Sequence, residues 1–173
     1  MELHLHSHRW ERRAPDWPAA AVAGLCAGAI VMVLELLWSA MVTGTSPWAT
    51  SQMIAALVMG PKALQETGFS ASVVAVALAT HYLLGVAFAV VLAVIVAPFQ
   101  FDSSPPAALL AGAAFGVLLY GFNFYAMVRF FPWFAEMRGA ATVAAHLVFG
   151  MAAALIYWKL ERASALRAPR GQA

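Results

Sequence analysis

Charge is scarce in this chain: only 10% of its 173 residues are Asp, Glu, Lys or Arg, where a soluble domain carries about 25%. A water-exposed surface cannot be built from so few charges, so a soluble fold is excluded. Cysteine is almost absent too. Cys26 stands alone, which rules out an intramolecular disulfide and any Cys-based metal motif. The net charge of +2 is too small to argue for nucleic acid. No nucleophile with a partner base is recognisable, and there is no soluble domain to carry one. What is present is apolar: 63% of the residues are hydrophobic and the mean hydropathy is +0.78. This is the composition of an integral membrane protein, and the length suits one domain.

Four apolar runs are long enough to cross a bilayer, which takes roughly 20 residues: 19–42, 71–97, 107–131 and 139–159. Lipid offers backbone groups no partners, so each must be a helix. Pro98, Pro105-Pro106 and Pro132 mark ends. The first run is too long for a signal-peptide core, so no cleaved leader is expected. Arg9, Arg12, Arg13, Lys159, Arg162, Arg167 and Arg170 fall at one end, and Lys62, Arg129 and Arg138 at the other. The positive-inside rule then expects both termini in the cytoplasm. Between the first two runs, Ser46-Pro47-Trp48 through Gly60-Pro61 reads as a short helix with a serine N-cap and a Gly-Pro stop. It is too short to span and is expected to be interfacial or re-entrant on the outer side, with Trp48 at headgroup level.

The two halves resemble each other. Gly24-xxx-Gly28 is followed seven residues later by Glu35, and Gly112-xxx-Gly116 by Asn123. A Pro-Trp pair follows each, Pro47-Trp48 and Pro132-Trp133. Each half then ends on a helix with His-xxx-Gly, His81 to Gly85 and His146 to Gly150. The expectation is an all-α, polytopic four-helix bundle made of two similar hairpins (19–97 and 107–160), plus the short helix. Polar tails cover 1–18 and 161–173. Seven residues is close to two helical turns, so Glu35 and Asn123 share the faces of their glycines, where membrane helices approach closely. Each of Glu35, His81, Asn123 and His146 lies roughly 4–7 Å beyond the middle of its run at 1.5 Å per residue. One buried polar layer is expected.

Ionisable residues at membrane depth are expensive and usually functional. The plain reading of the layer is structural, with hydrogen bonds that fix which helices pair. Three others are open. His81 and His146 could ligate a b-type haem, with the following glycines making room and Arg129 as the candidate counter-charge for its propionates. Glu35, His81 and His146 have the donor types of a zinc or copper site. Glu and His inside a bundle also suit a proton or ion path, although the cytoplasmic halves of the runs are almost wholly apolar. The alternating His4, His6 and His8 could chelate a metal, but a polar tail supplies no supporting shell.

Ala107 to Pro132 with its Phe-Phe-Pro end, Thr80-His81 before an apolar run, and Ala145-His146-Leu147-Val148-Phe149 leading to Lys159-Leu160-Glu161-Arg162 resemble the YagU-like bacterial inner-membrane proteins. The resemblance implies inner-membrane placement and importance for His81 and His146, with no catalytic assignment. The function expected is non-enzymatic: an accessory or assembly subunit of a larger membrane complex, in contact with lipid and other subunits. The alternative is a haem- or metal-binding, or proton-handling, protein centred on the layer.

Overall fold

The computed structural model describes residues 13–43, 46 and 48–167. His4, His6 and His8 lie outside that set, as does Pro47. Among the described residues the fold is all-helical, with four helices long and apolar enough to cross a membrane and one shorter apolar α-helix. The helices are α1 (Trp17–Trp38), α2 (Trp48–Met59), α3 (Ala71–Phe99), α4 (Pro105–Gly121) and α5 (Ala140–Arg167). Their starts follow capping chemistry. The Asp16 side chain accepts from the Ala19 N–H at 3.0 Å, the Ser46 hydroxyl from Trp48 at 3.3 Å, and the Ser104 hydroxyl from Ala107 at 3.4 Å. Pro105 and Pro106 open α4 rather than precede it, because the first helical positions need no N–H.

Pro98 does not stop α3, contrary to the sequence expectation. It sits in the last turn, and the helix ends at Gln100, whose left-handed backbone (φ 53°) returns its N–H to Val96 and Ala97. α5 also runs further than expected, to Arg167.

Two close crossings build the bundle. In the first hairpin a methyl group placed on Gly24 would lie 2.5 Å from the Gly85 carbonyl oxygen. In the second, methyls on Gly112, Gly116 and Gly150 would all overlap backbone of the facing helix, the Gly150, His146 and Gly112 carbonyls respectively. Without a hydrophobic force between helices in lipid, such backbone approach is what packs them. α1 then packs along α5, while α3 and α4 barely touch. The resulting core is built largely of alanine, with Ala20, Ala23, Ala27, Ala93 and Ala153 fully buried beside Leu92 and Tyr157.

A second, smaller core holds α2. Ala55 and Ala56 are buried against Val73 and Ala77 of α3 and against Trp133, whose indole N–H donates to the Met53 carbonyl at 3.2 Å. α2 is therefore packed into the bundle rather than lying free at an interface. The end bearing the termini is closed by charge. Arg13 pairs with Asp102 in the α3–α4 turn (3.2 Å) and with Glu161 of α5. Arg162 donates to the Ser103 carbonyl at 2.7 Å.

Candidate functional site: a polar-lined cavity in the membrane bundle

Glu35, His81, Asn123 and His146 all line one cavity of about 140 Å³. It lies at the seam between the two cores: Val31, Leu119 and Phe149 of the larger core and Ile54 beside the smaller one share its wall. Thr50 and Leu57 bring α2 to it, and Phe134 and Met137 bring a 3₁₀ turn (Pro132–Met137) from the other half. Apolar surface predominates, with polar groups few and convergent, which is the usual make-up of a binding site.

Both first helices of the hairpins change their winding here. α1 continues as a π-helical turn, Ser39–Thr43, and α4 as another, Phe122–Ala126, which contains Asn123. Such turns are rare and concentrate at functional sites. The second one loosens the chain enough to need outside support: the Arg138 guanidinium donates to the Phe124 carbonyl at 2.8 Å and lies over the Tyr125 ring at 4.5 Å. Sequence reasoning missed Arg138, since its partner is a carbonyl exposed by unwinding fourteen residues earlier.

The hydrogen bonds divide the four residues into unlike pairs. His146 Nδ1 is 2.9 Å from the Thr142 carbonyl, which can only accept, so Nδ1 carries the proton. Nε2 is then a lone pair and accepts from the Asn123 amide nitrogen at 3.2 Å. The Tyr120 and Phe124 rings frame the imidazole edge-on at 5.8 and 5.3 Å. His146 is fully engaged. In the other half, His81 Nε2 lies 2.9 Å from the Gly28 carbonyl and must donate to it, which leaves Nδ1 as an acceptor. The Glu35 carboxyl has no hydrogen-bond or ion-pair partner among the described residues. It also lines a second cavity of about 40 Å³ with Ser39, Thr50 and Ser51, so it stands in the wall between two voids.

This geometry narrows the sequence readings. Glu35, His81 and His146 share a cavity but do not form a metal site: among the described residues no three His, Cys, Asp or Glu are grouped to hold an ion. Both nitrogens of His146 are engaged within the protein, and the Nε2 of His81 is turned to backbone. The same engagement disfavours a bis-histidine haem, and about 140 Å³ is small beside the roughly 300–1,000 Å³ of sites for drug-sized ligands. Arg129 is exposed. Compared with known proteins, the chain matches no family model, no curated protein and no solved structure at a level that would show relationship.

Proposed function

We propose that this protein is a non-catalytic component of a bacterial inner membrane, with both termini cytoplasmic. It acts as an accessory subunit whose polar layer, half-buried rather than buried as expected, holds a small ligand or a proton for the complex it serves. The observation that carries this reading is Glu35. Glu35 is half-buried, and a polar group withdrawn from water without a partner destabilises a fold, by about 1–3 kcal/mol when burial is complete. A carboxyl kept in that position, in a cavity shared with His81, Asn123 and His146, argues for a use that outweighs its cost. The excess of Lys and Arg at the terminal end supports the orientation.

Glu35→Leu tests the reading in mild detergent. If Glu35 is kept for use, the variant unfolds at a higher temperature than the wild type, since an unsatisfied group has been replaced by an apolar one of similar size. If Glu35→Leu unfolds at a lower temperature, the carboxyl is a structural member of the bundle and the reading fails. The accessory role has its own test: a chain that purifies from its native membrane as a stable, monodisperse monomer without a stoichiometric companion overturns that part.

A further inference from the structure

The cavity has a size, a chemistry and an opening, and together these select a ligand. The volume, about 140 Å³, matches the apolar cavity of about 150 Å³ that admits one benzene molecule in an engineered protein. One six-membered ring fills it, and a larger ring system does not fit. The wall suits such a ring: Phe88, Phe124, Phe134 and Phe149 line it, and aromatic rings pair favourably edge-to-face.

Unused acceptors stand in that wall, beside the Thr50 hydroxyl, which can donate or accept. The Glu35 carboxyl and Asn123 Oδ1 have no partner among the described residues, and His81 Nδ1 is left a lone pair once Nε2–H donates to Gly28. A ring that satisfies these groups must carry donors. The wall is also thin on one side. α3 and α4 barely touch, and Leu84, which lines the cavity, is 38% exposed on the bundle surface. A ligand with an alkyl tail can seat its ring inside and leave its tail in the lipid along that seam.

We propose that the cavity binds the headgroup of a quinol: a single hydroxylated aromatic ring donating to Glu35 and to its neighbouring acceptors, with the tail leaving between α3 and α4. This rests on the reading of the layer as a binding site and names what it binds. The oxidised quinone, whose carbonyls only accept, meets acceptors and binds more weakly.

The test is an equilibrium titration of the whole chain in mild detergent with a decyl-tailed 1,4-benzoquinol held reduced, its quinone, and a decyl-tailed tertiary amine. The expected result is saturable binding of the quinol at least tenfold tighter than the quinone, about 1.4 kcal/mol, weakened about tenfold by Glu35→Gln. Leu84→Trp, which narrows the seam, should slow entry of the tailed quinol more than that of tail-less hydroquinone. Equal binding of quinol and quinone, or a Glu35→Gln protein with wild-type affinity, overturns the proposal. Binding of the amine alone overturns it in favour of a cation site. No binding of any probe also overturns it, and if Glu35→Leu still raises the unfolding temperature, only the ligand class has failed and the binding-site reading stands.

Discussion

The two hairpins carry the same motif and put it to different ends. In the second, Gly112, Gly116 and Gly150 leave no room for a methyl, Asn123 and His146 bond to each other, and His146 is tied again to Thr142. In the first, only Gly24 is closed to a methyl with no give. One on Gly28 would sit 3.5 Å from His81 Nε2, an ordinary contact, and one on Gly85 would be 3.0 Å from the Gly24 carbonyl. Its polar pair do not bond to each other: His81 turns to backbone and Glu35 to the cavity. One half is tight and satisfied, the other looser and chemically open. A repeated sequence thus divides labour: the second hairpin supplies a tightly packed wall, and the first supplies the side whose polar groups keep unused bonding capacity.

Substitutions can break or sharpen this contrast. The largest effect is expected from Gly150→Val, which drives a branched side chain into the Gly112 carbonyl. Overpacking of a close crossing destabilises by about 1–3 kcal/mol or more, and the yield of folded protein on size exclusion should collapse. His146→Ala comes next, with a loss of about 2 kcal/mol, because it removes two bonds and leaves a void among aromatic rings. The double variant with Asn123→Ala should lose less than the sum of the singles, read from thermal unfolding as a coupling energy. His81→Ala should cost about 1 kcal/mol, since one bond to backbone is lost, and membrane hydrogen bonds average about 0.6 kcal/mol. Gly28→Ala should be nearly neutral. If it proves as damaging as Gly150→Val, the two crossings are equally tight and the contrast is gone.

Much of this arrangement was legible in the sequence, because membranes force it. Runs without charge become helices, glycines four residues apart mark crossings, and a polar residue seven positions on must share the glycine face. That logic places Glu35, His81, Asn123 and His146 together. It does not reach what depends on winding or on distant partners. Asn123 sits in a π-helical turn whose Phe124 carbonyl is capped by Arg138, fourteen residues on. The isolation of Glu35 is a property of the assembled bundle, since any neighbour with a donor would have changed it. Pro98 misled for a local reason: its missing N–H matters little in a last turn already closed by Gln100. α2 looked like a surface helix by length, and only its buried Ala55 and Ala56 reveal that it closes the cavity.

The charged closure at the terminal end has a consequence for biogenesis. Its three members come from before α1, from the turn between α3 and α4, and from near the end of α5. Asp102 is 4% exposed, and a buried carboxylate stripped of its cation is strongly destabilising. Arg13 reaches Asp102 without help from α5, but its second partner, Glu161, arrives only with that helix. A chain that stalls after α4 has Arg13 without Glu161 and without the Ser103 contact from Arg162. α5 thus latches two otherwise separate parts of this end, the segment before α1 through Glu161 and the α3–α4 turn through Arg162.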